Sequence, residues 1–330
     1  MEKTPFGRVF GKLTLLARVS RPEFLPANMG SLIIGFAWAF SPEELSPRTL
    51  ALALLCFGTI TFASAVGAQL NSMSDYGLDQ TEPNKKSLVN HMNSLGMPAL
   101  KKALLIECLI GIAFLAVLYS LKPQPLLLAL WVAGVSLAWA YSCPPIRLKS
   151  RSWLAVLSLS LVLSVVPVLF VYGTFSASLS MLFVLFLAGH TLTIYGLIVP
   201  TEIRDYASDK AAGVRTMTVA LGLPHAAVAG MVLLIAGLVI SGAALLSMPV
   251  FSGSLLSLCL VAMVVANAAV LRQYHRLYRL SRAHSVSQDQ DLYRKVVELS
   301  SQNPKWITLV SQASVLVHLV LIGAKFVRGS

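Results

Sequence analysis

The chain has 330 residues, 56% of them hydrophobic and only 12% charged. Its mean hydropathy of +0.74 and its long apolar runs exclude an ordinary water-soluble domain, because roughly 20 apolar residues carry a helix across a bilayer. A net charge of +12 raises nucleic acid as a partner, so the placement of that charge has to be read first.

The N-terminal MEKTPFGRVFGKLTLLARVSRP is basic throughout. It lacks the compact apolar core and cleavage site of a signal peptide, and none is expected. Nine spans are predicted, at about 24–41, 50–71, 99–121, 125–142, 153–173, 179–201, 224–247, 251–271 and 306–325. The first is interrupted at its start by RPEFLPANMG. The expectation is an all-α integral membrane protein, one domain over 1–330, built as a bundle of nine transmembrane helices. With nine spans, the N-terminus and the loops after spans 2, 4, 6 and 8 share one side of the membrane. Twenty-two of the 26 Lys and Arg fall there; Arg48, Lys122, Lys325 and Arg328 fall opposite. That bias predicts a cytoplasmic N-terminus and makes the basicity a feature of topology, with no nucleic-acid partner.

The four cysteines form no CxxC pair and have no His at ligand spacing, so neither a disulfide framework nor a zinc site is expected. The 14 acidic residues say more. Asp75, Asp79 and Glu82 follow span 2; Glu202, Asp205 and Asp209 follow span 6. SDYGLD (74–79) and RDYASD (204–209) share D-Y-x-x-D at equivalent places in the span order. This suggests two repeated halves, about 24–142 and 153–271, followed by a ninth helix at 306–325.

Asn71, Asp75 and Asp79, at i, i+4 and i+8, share one helical face, as do Glu202, Asp205 and Asp209 at i, i+3 and i+7. If the two helices face each other, four or five carboxylates meet at one cavity mouth and raise one another's pKa. A divalent cation relieves that repulsion. Carboxylate oxygens suit Mg²⁺, which prefers to share coordination with substrate phosphates. Lys85 and Lys86 follow the first acidic group, and Arg204, Lys210 and Arg215 surround the second. Arg147 and Lys149 lie in YSCPPIRLKSR between spans 4 and 5. Acids for a metal and bases at the same mouth make a site for a multiply charged phosphate ligand.

NSMSDYGLD fits the NxxxDxxxD pattern of the UbiA superfamily of intramembrane prenyltransferases. RDYASDKAAGVRTMTVALG resembles that family's second motif, YSCPPIRLK its middle loop, and SRPEFLPANMGSLIIG its opening segment. The resemblance covers about 18–325. It implies a helical bundle with a central cavity open to lipid and a cytoplasmic cap that carries the motifs. It also implies Asn71, Asp75 and Asp79 as the first Mg²⁺-diphosphate motif, with Asp205 and Asp209 as the second; Glu202, from its shared helical face and not from the resemblance, is a further metal candidate. Lys85 and Lys86 match basic residues that grip the diphosphate; Tyr141, Ser142, Arg147 and Lys149 match the middle loop. Two departures stand out: Ser72 replaces a second Asp, and Thr201-Glu202 replaces an Asn pair of naphthoate-type members. The implied activity is Mg²⁺-dependent transfer of an isoprenyl group from an isoprenyl diphosphate to a lipophilic or aromatic acceptor, as in quinone biosynthesis. A terpene cyclase, or transfer to an alkene acceptor, would use the same acids. A cation-coupled transporter suits the sequence less well, since the acids sit at helix ends rather than at the midplane.

Gln69, Glu107 and His190 are polar groups at membrane depth and are candidates for the acceptor pocket; His91 reads as a solvated loop residue. The expected cytoplasmic loop 273–305 contains DQDLYRKVVELSSQ, which suggests a short helix at the membrane interface or a mere linker, with basic residues elsewhere in the loop set to touch anionic lipid.

Overall fold

A computed structural model describes residues 14–20, 25–80, 85–248 and 254–329. Lys3, Arg8, Lys12, Arg21, Glu82 and the RPEF of the opening segment lie outside the described residues. Thirteen helices are labelled below, and a helical turn at 14–19 precedes them. They are α1 (Leu25–Ala39), α2 (Pro47–Asp79), α3 (Lys86–Leu95), α4 (Met97–Leu121) and α5 (Pro125–Ser142). Next come α6 (Trp153–Phe175, with a π-helical turn at Leu161–Val165), α7 (Met181–Arg204), α8 (Tyr206–Ala211) and α9 (Met217–Leu221). The chain ends with α10 (Leu223–Leu246), α11 (Ser254–Ser287), α12 (Gln290–Ser300) and α13 (Asn303–Gly329). Among the described residues no strand occurs, only an isolated bridge between Arg151 and Arg215.

Helix throughout is what a bilayer demands, because only intrahelical bonds satisfy backbone groups there. Eight helices are long and apolar enough to cross: α2, α4, α5, α6, α7, α10, α11 and α13. The predicted first span is shorter. As described, α1 has 15 residues, about 22 Å at 1.5 Å per residue, against a hydrocarbon core of about 30 Å. Side chains such as Leu54, Val132, Val239 and Leu258 stay exposed on the bundle's outside, as lipid-facing residues would.

Local chemistry sets the helix ends. Ser46 caps α2 by accepting a hydrogen bond from the Thr49 amide at 3.2 Å, with Pro47 in the first turn; Ser180 caps α7 through the Phe183 amide at 3.1 Å. Gly96 and Gly222 both have φ +79°, a conformation open to glycine and strained for other residues. Each ends a short motif-loop helix, α3 or α9, and each opens a span with Pro at its start, α4 or α10.

The segment between spans 8 and 9 is not a loop. Helix α11 continues unbroken to Ser287, and α12 follows, capped by Asp289, which accepts from the Asp291 amide at 2.8 Å. Val296 of α12 is fully buried with Leu277, Trp306 and Val310, so α12 docks on the bundle through this face. The same cluster contains Tyr195, Leu197, Val199 and Ile203 of α7. A packed core therefore lies directly behind the second acidic motif.

Candidate functional site

Helix α2 runs without interruption through the first motif, so Asn71, Asp75 and Asp79 follow one another on a single rigid element. Asp75 and Asp79 are buried, at 7% and 3% exposure. Both carry cationic partners. Asp75 Oδ1 accepts from Lys149 Nζ and, at 3.4 Å, from Arg147 Nη2. Asp79 Oδ1 accepts from Lys85 Nζ at 2.7 Å. Asn71 Oδ1 accepts from the Ser142 hydroxyl at 3.3 Å, which ties the motif to the end of α5. Ser72, where the family pattern often has an acid, turns its hydroxyl back onto the Ala68 carbonyl at 3.0 Å.

The middle loop supplies those cations in a constrained conformation. Arg147 has φ +41° and Ser152 has φ +41°, positions that non-glycine residues adopt at a cost and that cluster at functional sites. Lys149 is buried at 8% exposure. Its amine has a lowered pKa because burial penalises the charged form; the Asp75 carboxylate pulls it back up, while Arg147 and Lys85 push it further down. The loop is joined to the second motif's loop. Ser152 donates twice to the Arg215 carbonyl, from its amide at 2.8 Å and its hydroxyl at 3.0 Å.

The second motif is built differently. Helix α7 stops at Arg204, Asp205 is non-helical at φ −88° and ψ 5°, and α8 begins at Tyr206. This break separates Glu202 from the two aspartates that the helical spacing placed on one face with it. The Glu202 carboxylate accepts from the Tyr195 hydroxyl at 2.8 Å and from the Thr218 hydroxyl and amide at 3.0 and 3.2 Å. It clamps α7 to α9. Asp205 forms a bidentate pair with Arg204, at 2.7 and 2.9 Å. Asp209 makes no ion pair among the described residues.

The two motifs act within one electrostatic field. Burial lowers the Lys85 pKa, but its hydrogen bond to Asp79 and the charges of Asp79, Asp205 and Asp75 outweigh this and leave it above its usual value. The Asp209 carboxyl is raised to about 7, first by burial and then by the charges of Asp205 and Glu202, with Lys85 and Lys149 pulling it down. Tyr141 lies in the fields of Glu202, Asp75 and Asp209 together. Asp75, Asp79, Asp205, Asp209, Lys85, Lys149 and Tyr141 are thus assembled at one end of the bundle.

The remaining candidates divide. Lys86, Lys210 and Arg215 are exposed; Lys210 Nζ lies 5.7 Å from the Tyr206 ring centroid, and Arg215 contributes its backbone to the loop junction. Gln69 and Glu107 meet in a separate cluster with Ser20, which donates to Glu107 at 2.6 Å and accepts from Gln69 at 2.9 Å. That cluster faces α4 and the 14–20 segment. His190 stacks on Phe186 with centroids 5.8 Å apart, some 22 Å along α7 from Asp205 at 1.5 Å per residue. His91 faces Arg18 at 3.2 Å. Sequence reasoning did not find Tyr195 and Thr218, the partners of Glu202. The available signal was Glu202 itself, a carboxylate inside a span that requires donors when buried.

An oxygen-only donor set of several carboxylates, one of them without a cationic partner, fits a hard divalent cation. Among the described residues no three His, Cys, Asp or Glu side chains converge on one point.

Comparison with known proteins agrees with this arrangement. No curated protein matches the sequence. Several solved structures do. The apo structure of a UbiA homolog from Aeropyrum pernix K1 is 17% identical, with a TM-score of 0.61, over 94% of this chain and 98% of that one. A UbiA homolog from Archaeoglobus fulgidus bound to GPP and Mg²⁺ is 17% identical, with a TM-score of 0.57, over 90% and 99%. A digeranylgeranylglyceryl phosphate synthase is 15% identical, with a TM-score of 0.61, over 94% and 99%. At such identities the likeness is one of fold. The model of the UbiA prenyltransferase family matches residues 28–290, and the chain, a multi-pass membrane protein, belongs to that family.

Proposed function

We propose that this prenyltransferase takes an isoprenyl diphosphate and Mg²⁺ at the mouth formed by α2, the 143–152 loop and α7–α8, and transfers the isoprenyl group to a lipophilic or aromatic acceptor. The observation that carries this reading is the joining of the two motifs: Lys149 and Arg147 of the 143–152 loop pair with Asp75, Lys85 pairs with Asp79, and Ser152 of the same loop bonds the Arg215 carbonyl beyond the second motif. Lys85 is bonded to Asp79 and also feels Asp205, while Asp209 feels both Lys85 and Lys149. Acids of two motifs and bases of two loops so arranged suit one polyanion. The Archaeoglobus fulgidus homologue, bound to GPP and Mg²⁺, supports the same ligand class here.

Asp75, Asp79, Asp205 and Asp209 are the residues that would hold Mg²⁺. When bound, the ion supplies Lewis acidity toward the diphosphate oxygens. Lys85, Lys149 and Arg147 balance the negative charge that grows on the departing diphosphate as the allylic C–O bond breaks and its electron pair moves to oxygen. Asn71, held by the Ser142 hydroxyl, and Tyr141 would help to bind the diphosphate. The apolar bundle below excludes water from the allylic cation, so the acceptor attacks before hydrolysis. Glu202, saturated by Tyr195 and Thr218, shapes the second motif in this reading. The excess of basic residues in the loops on this side supports a cytoplasmic face for the site. The acceptor is a quinone-type ring precursor or a related lipid.

Purified protein in lipid, offered GPP and longer isoprenyl diphosphates with a panel of aromatic and glycerol-phosphate acceptors, should release pyrophosphate only with Mg²⁺. The product's mass names the acceptor class. Absence of both turnover and diphosphate binding would refute the reading.

A further inference from the structure

Pro200 lies inside α7, one turn before the second motif. A proline has no N–H, so the carbonyl four residues earlier, that of Gly196, loses its helical partner. Within a membrane such a carbonyl must find another donor. It has one. The hydroxyl of Tyr274, fully buried on α11, donates to the Gly196 carbonyl. Gly230 on α10 makes room for that ring, since a Cβ there would stand 2.4 Å from Tyr274 Cε1. Asn303, fully buried at the start of α13, donates to the next carbonyl, Leu197, at 2.8 Å and to the Thr201 hydroxyl at 2.8 Å.

The turn that carries Glu202 and Arg204 and leads into Asp205 is therefore gripped by two helices that carry none of the motif residues. We propose that Tyr274 and Asn303 are positioning residues, and that the helical hydrogen bond missing at Pro200, replaced by these two outside donors, sets the direction in which Asp205 and Asp209 are presented. The inference rests on the function proposed above. It gives α11 and α13 a role in catalysis beyond spanning: they hold the second motif still while the diphosphate departs.

The test combines Mn²⁺ binding, read by electron paramagnetic resonance with GPP present, with melting temperature and steady-state kinetics. The variants are Tyr274→Phe, Asn303→Ala and Pro200→Ala/Tyr274→Phe. Tyr274→Phe removes one hydroxyl and should weaken Mn²⁺ binding about tenfold, the order of one hydrogen bond to a buried carbonyl. It should lower kcat while leaving KM for the acceptor unchanged. Asn303→Ala should act in the same direction, which keeps the test open if Tyr274→Phe fails to fold. In the double variant residue 200 regains an N–H for the Gly196 carbonyl. Its melting temperature should recover while Mn²⁺ binding stays weak, because the Gly196 carbonyl is bonded within α7 and no longer tied to α11. Unchanged Mn²⁺ affinity in both single variants, or affinity recovering together with melting temperature in the double variant, would overturn the proposal. Wild-type protein that binds no Mn²⁺ with GPP would overturn the reading of the site itself and this inference with it, and that is seen before any variant is made.

Discussion

The ends of α2 and α7 carry similar acidic motifs and treat them in opposite ways. On α2 the helix is continuous, and the charge of Asp75 and Asp79 is met by cations brought from elsewhere, Lys149, Arg147 and Lys85. On α7 the helix carries Pro200 within its last turns and stops at Arg204, where Asp205 is non-helical. There Glu202 is satisfied by neutral donors, Asp205 by its own neighbour Arg204, and Asp209 has no ion-pair partner among the described residues. One side is rigid by regularity and balanced by protein charge. The other is irregular, held from outside, and less fully balanced. In the proposed reading, a bound cation would contribute most on the second side, and a departing anion would find its bases on the first.

The comparison predicts its own breakage. The largest effect belongs to the acids themselves: Asp75→Asn or Asp209→Asn should cut Mg²⁺-dependent pyrophosphate release by about 10³-fold, with the fold retained by circular dichroism. Next comes Lys149→Met, which leaves Asp75 with a diminished partner set in a buried position. Removing one member of a buried ion pair costs about 3–5 kcal/mol, so the melting temperature should fall clearly, and turnover should drop about 10²-fold. Glu202→Gln separates a shaping role from a ligand role. A shaping residue loses about tenfold in turnover for disturbed hydrogen bonds with little change in the Mg²⁺ requirement; a loss as deep as that of Asp75→Asn would place Glu202 among the ligands. The smallest effect is one of pH. Because the folded pKa of Asp209, about 7, lies above the ordinary carboxylate value, protonation favours the folded chain. The metal-free protein should lose stability as pH rises from about 4 to about 7. In Asp209→Asn this part of the decline should vanish when melting temperatures are followed across that range.

Much of this was legible in the sequence because membrane physics writes in long words. Runs of about 20 apolar residues locate the spans, and the positions of Asp75, Asp79, Asp205 and Asp209 follow from counting along helices. Two things were not legible, for identifiable reasons. Helical spacing put Glu202 on one face with Asp205 and Asp209, but the helix ends at Arg204 and the face ends with it. In the segment 273–305 the expected short helix is present as α12 (Gln290–Ser300), but the continuation of α11 to Ser287 was not legible, because Tyr274 and Leu277 are held by partners far away in sequence. Gln69, Glu107 and His190 were read from membrane depth alone, and the structure adds their neighbours: two share a cluster with Ser20 and the third stacks on Phe186.

The central claim is that two unlike motifs act on one diphosphate. Calorimetric titration of GPP into the protein in nanodiscs, with and without Mg²⁺, tests it most directly when repeated for Asp75→Asn and Asp209→Asn. The account predicts that either substitution alone abolishes the Mg²⁺-dependent part of binding, because each motif completes the other. Full Mg²⁺-dependent affinity in either variant would mean that the two ends bind separately, and would contradict it.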